Sequence, residues 1–94
     1  MLTSVISELV GTIIFFSCIL SQGQPIPIAV GLLACIYAFG KISGGHFNPG
    51  VSFMMLLKGD LNIPTFFAYI VVQLIGAGLA LLWWKNTIGT SKTQ

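Results

Sequence analysis

Three apolar stretches, residues 2–20, 26–42 and 63–84, take up most of this chain, and each is long enough to cross a bilayer as a helix. A hydrocarbon core of ~30 Å needs about 20 helical residues to cross it. Inside hydrocarbon every backbone amide must find a partner within the protein, which restricts such runs to helices or a closed barrel. Their length and apolarity, broken in the first run only by small or hydroxyl residues and Glu8, select helices. Only 6% of the residues are charged, against roughly a quarter in a soluble domain. A core this apolar would leave nothing polar to cover it, so a self-contained soluble enzyme is excluded. The four basic residues are scattered lysines with no arginine among them, and they assemble no basic face for nucleic acid. The expected setting is an integral, multi-pass membrane protein whose solvent is the lipid bilayer.

The remaining punctuation divides the chain without suggesting more than one domain over residues 1–94. Residues 21–25, Ser-Gln-Gly-Gln-Pro, read as a polar turn between the first two spans. The amino-terminal residues 1–11 carry no lysine, so the first run is expected to be a retained span and not a cleaved leader. Trp83, Trp84 and Lys85 are expected to anchor the far end of the third span in the headgroup zone, and residues 86–94 to form a loose polar tail. Cys18 and Cys35 have neither metal spacing nor a disulfide framework and read as small packing residues. Gly11, Gly76, Gly78 and Ala80 are expected to let helices approach closely. Phe15, Phe16, Phe66 and Phe67 are expected to face lipid or to pack. No cofactor and no metal is expected.

Residues 43–50, Ser-Gly-Gly-His-Phe-Asn-Pro-Gly, are too polar and too rich in glycine for a lipid-facing helix. A short helix over residues 49–57 should follow, with Asn48 as its cap, Pro49 in first position and Lys58 and Gly59 as its stop. At ~1.5 Å per residue it reaches roughly 14 Å, about half of a hydrocarbon core. It cannot span. Residues 43–57 therefore read as a re-entrant loop and half-helix, which is tolerated at membrane depth only when buried in protein or lining a watery cavity. The expected fold is an all-α membrane protein with three transmembrane helices plus one re-entrant half-helix. The positive end of that half-helix and the Asn48 carboxamide would then orient water and repel cations near the bilayer centre. On spacing alone Asn48 reads equally as an ordinary helix cap.

The run Ser43-Gly44-Gly45-His46-Phe47-Asn48-Pro49-Gly50-Val51-Ser52 resembles the signature loop of the aquaporin and glycerol-channel family, the major intrinsic proteins, which is Asn-Pro-Ala in most members. Glu8-Leu9-Val10-Gly11-Thr12 resembles the start of that family's first helix. Tyr69, Gln73, Gly76 and Ala77 resemble its third, in the pattern Tyr-x-x-x-Gln-x-x-Gly-Ala. These matches cover most of the chain in the family's order. Members carry two inverted repeats, each of three spans and a half-helix, and this chain holds one such aquaporin-like half-repeat. Gly50 stands where alanine is usual. The arginine that follows the second repeat's asparagine by three residues is Val51 here, as in a first repeat.

The resemblance implies a passive channel for water or small neutral solutes such as glycerol, with Asn48, Pro49 and Gly50 at the pore centre. It implies a constriction at Ile28, Ile36, Gly45 and Val51, more apolar than a strict water pore. It implies that Glu8 accepts hydrogen bonds from the loop backbone and from His46, and that Gln73 bonds the loop or a neighbouring helix. Two half-helices must meet to complete such a pore, and the economical route is an antiparallel homodimer, grouped further into a tetramer of dimers. The lysines fit insertion both ways up: Lys41 and Lys58 fall on the amino-terminal side, Lys85 and Lys92 on the other. Pairing with a different half that carries the missing arginine is the alternative. Two other functions stay open, a proton-coupled transporter using Glu8 as an intramembrane acid and a non-conducting scaffold. His46 titrates near neutrality and reads either as a pH gate or as a buried structural side chain; it lacks companion metal ligands.

Overall fold

The computed structural model describes residues 1–89, in which the helices follow the order α1 (Leu2–Gln22), α2 (Pro25–Ser43), α3 (Pro49–Lys58) and α4 (Ile63–Trp84), with a π-helical turn at Lys85–Gly89. The chain is all-α, and α1, α2 and the α4 segment are long and apolar enough to cross a membrane. With 10 residues, α3 rises about 15 Å and is a half-helix.

The helix boundaries have local causes. Pro25, Pro49 and Pro64 sit in the first turn of α2, α3 and α4, where a missing N–H costs nothing. Helices α1, α2 and α3 each end on a left-handed glycine, Gly23, Gly44 and Gly59. The Asn48 and Asn62 side chains cap α3 and α4, accepting from Gly50 N at 2.7 Å and Thr65 N at 2.9 Å.

Several expected limits shift. Helix α1 runs through Ser21 and Gln22, which the sequence placed in the turn, and stops at the left-handed Gly23; the Ser21 hydroxyl donates to Ser17 O at 2.7 Å. Helix α2 takes in Pro25 and Ser43, and α3 extends to Lys58. The tail is not loose over residues 86–89: Asn86 Nδ2 donates to Leu82 O at 2.8 Å and Thr87 Oγ1 to Trp83 O at 2.7 Å, carrying the helix into a π turn. The rest of the expected tail, including Lys92, lies outside the described residues.

Helix α1 packs against both α2 and α4, and α3 leans on α4. Close approach depends on small residues, as in membrane bundles generally. A Cβ at Gly76 would lie 3.0 Å from Thr12 Cγ2, and one at Gly31 would lie 2.7 Å from Cys18 Sγ. A Cβ at Gly11 would overlap the Phe47 ring. Gly78 breaks the expectation: it is exposed and nothing lies within 4 Å of its missing Cβ. Gly31 serves in its place, against Cys18 on α1. The interior is polar where a soluble core is oily. Ser7, Glu8, Thr12, Ser43, His46, Ser52 and Gln73 are buried, whereas Leu33, Phe67, Leu74 and Leu82 face outward.

These contacts separate two glycines of the same chemistry. Alanine at Gly78 should gain about 0.5–1 kcal/mol of helix preference, whereas alanine at Gly11 should lose about 1–3 kcal/mol by overpacking Phe47. Thermal unfolding in detergent should therefore give a lowered Tm for Gly11→Ala and none for Gly78→Ala.

Candidate functional site

The re-entrant loop begins where α2 stops, and its path is tightly wound. Gly44 and Gly45 have φ of 93° and 68°, and Phe47 has φ of 53°. A non-glycine residue in that region costs on the order of 1–3 kcal/mol and persists only when its surroundings over-determine it. Phe47 is fully buried, wedged over Gly11 and edge-on to Phe39 at 6.3 Å between centroids. Its N–H donates to Glu8 Oε1 at 2.7 Å.

Glu8 gathers the loop. Oε1 accepts from Phe47 N and, at 3.0 Å, from Gln73 Nε2; Oε2 accepts from Ser43 Oγ at 2.6 Å and His46 N at 3.0 Å. Four donors from α2, the loop and α4 thus converge on one fully buried carboxylate of α1. The bond from His46 comes from its backbone. Its ring is engaged elsewhere, with Nδ1 at 2.8 Å from Ser52 Oγ. Gln73 Nε2 also donates to Ser52 Oγ at 2.8 Å, so the Ser52 hydroxyl joins α4 to the His46 ring. Tyr69 closes the cluster, its hydroxyl on Ser43 O at 2.7 Å and its ring edge-on to His46 at 5.2 Å. Thr12 Oγ1 and Gln73 Oε1 are buried oxygens with no partner among the described residues.

The depth of the loop follows from what it touches. Gly11 lies near the midpoint of the 21-residue α1, and Gln73 near that of the 22-residue α4. The start of α3 therefore sits halfway along the spans. At this tip Asn48 is exposed, its Oδ1 taken by Gly50 N and its backbone O by Ser52 N at 3.1 Å. Asn48 Nδ2 and the Val51 N–H meet no acceptor among the described residues. Two unclaimed donors and a positive helix end share one place.

Of the four residues that the resemblance assigns to a constriction, Ile36 and Gly45 come together: a Cβ on Gly45 would lie 3.5 Å from Ile36 Cγ1. Ile36 lines an open groove of about 460 Å³ with Leu33, Tyr37, Gly40, Lys41 and Gly44. Val51 is half-buried in the first turn of α3, and Ile28 sits about two turns before Ile36 on α2, away from that groove. Pro49 and Gly50 follow Asn48 at the tip. Among the described residues no three His, Cys, Asp or Glu side chains cluster as a metal site would. Sequence reasoning gave no role to Ser43, Ser52 or the Tyr69 hydroxyl; a serine in an apolar run carries no signal until its partner is in view.

Glu8→Gln keeps the shape but turns two of the four acceptor sites into donors facing donors. With charge-assisted bonds contributing roughly 1.5–3 kcal/mol each, the loss should be at least about 3 kcal/mol. Thermal unfolding should report it, together with faster proteolysis in the loop, whereas an unchanged Tm would contradict this account of the carboxylate.

The chain was compared with known proteins. The family model described as "Major intrinsic protein" matches residues 1–93. A glycerol uptake facilitator protein-like 6 of Lactiplantibacillus plantarum is 46% identical over 57 residues, covering 58% of this chain and 26% of the relative. A probable aquaporin TIP5-1 of Arabidopsis thaliana is 37% identical over 60 residues, covering 64% and 23%. A probable aquaporin PIP2-8 of the same plant is 34% identical over 91 residues, covering 79% and 33%. The chain thus spans between about a quarter and a third of the length of these relatives. With its half-helix, its buried glutamate and a family match along nearly its whole length, the chain belongs to the major intrinsic protein family.

Proposed function

We propose that the chain forms a passive channel for water and small neutral solutes such as glycerol, completed by an antiparallel homodimer. The observation that carries this reading is the tip of α3. It ends at mid-depth with Asn48 Nδ2 and the Val51 N–H unclaimed, held there by a carboxylate whose acceptor sites are all occupied. Such donors bind a passing oxygen, and the positive helix end disfavours a passing cation. The named relatives, an uptake facilitator for glycerol and two aquaporins, support the same solute class. Glu8 is poorly placed as a proton carrier, because taking up a proton would displace the donors that hold the loop.

One half-helix lines half a pore. A second copy related by a two-fold axis in the membrane plane brings its own tip from the opposite face. A parallel pair would leave one half without donors. The amino terminus, Lys41 and Lys58 lie at one end of the spans and Lys85 at the other, a charge difference small enough for both orientations. Grouping of such pairs into a tetramer belongs to the same proposal.

Proteoliposomes should pass water or glycerol well above empty vesicles, and equality with empty vesicles would end the channel reading. Asn48→Asp should admit cations, on the order of tenfold above the parent, by placing negative charge between two helix ends; no gain in cation leak would remove Asn48 from the pore centre. The mass of the purified complex separates a homodimer from a pair with a different half. Lysines introduced at Asn86 and Thr87 should bias insertion one way and lower flux. A partner variant with added lysines beside Lys58 should restore it, and labelling of the parent's tail from one membrane face alone would refute antiparallel pairing.

A further inference from the structure

The groove beside the loop has apolar walls and one charge. Leu33, Ile36, Tyr37, Gly40 and Gly44 line it, and Lys41 is the charged residue among them. Lys41 lies in the last turn of α2, at the end from which the loop re-enters, so this exposed residue stands at the outer end of the groove lining. The carbonyl end of α2 favours a cation there. Among the described residues Lys41 has no ion-pair partner, whereas Lys58 pairs with Asp60 at 3.0 Å on the surface. The buried carboxylate of Glu8 is fully engaged by its four donors and offers Lys41 no counter-charge.

We propose that Lys41 is the cation barrier of this solute path: an unpaired positive charge at the mouth of an apolar groove, in a chain that has no arginine to supply one. The inference rests on the channel reading and adds a selectivity residue to it. Low-dielectric walls focus the field of a single charge along a cleft, raising the local concentration of one sign of solute over the other. A neutral polyol or water crosses that field without penalty. In an antiparallel pair the two-fold axis puts one Lys41 at each mouth, so a cation meets the barrier from either side. The half-helix tips then receive a stream already depleted of cations, to which their positive ends add a second barrier while they orient the solute's oxygen.

The test reads the field and the flux separately in vesicles holding the full chain. Ile36→Cys, with Leu33→Cys as a second position should the first fail to fold, places a thiol in the groove, and the parent serves as the blank for Cys18 and Cys35. The thiol is reacted with an anionic and a cationic methanethiosulfonate of similar size. The anionic reagent should be favoured, and Lys41→Gln should lower that preference on the order of tenfold, with Lys41→Glu reversing it. Lys58→Gln should leave it unchanged. In the flux arm, Lys41→Glu should raise potassium permeability on the order of tenfold while glycerol permeability stays within about twofold. A reagent preference that Lys41→Gln does not move overturns the proposal, as does a shifted preference with no rise in potassium permeability in a protein that conducts. Vesicles with no solute flux but a Lys41-dependent preference overturn the channel reading and leave the charge at the groove mouth in place.

Discussion

The carboxylate of Glu8 and the four donors turned toward it are what the rest of the structure depends on. A charge taken out of water is costly unless each of its acceptor sites is met, and in hydrocarbon no solvent stands by to meet them. Here the donors come from α2, the loop and α4, so satisfying one side chain of α1 fixes those three relative to it. The loop cannot leave the carboxylate without stranding a buried charge. The carboxylate in turn cannot be replaced by an apolar residue without stranding the His46 and Phe47 amides, which have no helix or sheet to bond them. Each side makes the other affordable at that depth.

Packing reinforces this polar clasp at one further point. Phe47 adopts a left-handed backbone that its side chain disfavours, and its ring fits because Gly11 has no Cβ. The ring and the N–H of Phe47 therefore both report to α1, three residues apart at Gly11 and Glu8, one turn of the same helix face. That coupling converts a glycine-rich segment, which would otherwise be mobile, into a rigid support for the half-helix. Ser52 extends it into α3 itself, bonding Gln73 and the His46 ring. The half-helix is thus held at its first turn, where its free donors are, while its far turns rest on α4.

What the sequence made legible divides along a physical line. The spans could be read from length and apolarity because hydrocarbon thickness imposes both, and the half-helix because a run as short as residues 49–57 cannot reach across. Glu8 stood out because a lone acid inside a span demands partners. The partners themselves were hidden. Ser43 and Ser52 are small hydroxyl residues that occur anywhere in membrane helices, and only the meeting of α1, the loop and α4 gives them work. The same blindness exchanged Gly78 for Gly31: both are glycines in a helical run, and which one faces a neighbour depends on helix rotation, which a nearly uniform apolar sequence does not encode. Ile28, reached by counting back from Asn48, lies about two turns before Ile36 on α2 and is not among the residues that line the groove beside Ile36.

A proposed pore built from two identical halves carries a constraint that a two-repeat chain escapes. In a longer chain the two half-helices and the two mouths can diverge, one tuned for size and the other for charge. In a two-fold pair every substitution acts twice, at positions related by the axis, and no residue can be specialised for one face of the membrane. Selection by charge and selection by hydrogen bonding must then be separated along the path within each half. The fold provides that separation: the unpaired Lys41 lies at the end of α2, and the donors of Asn48 and Val51 lie at mid-depth, half a span further in. A solute would meet charge, then donors, then the mirrored donors and charge. Symmetry of this kind favours equal permeation in both directions and suits a passive path, because rectification requires a difference between the two ends that identical chains cannot supply.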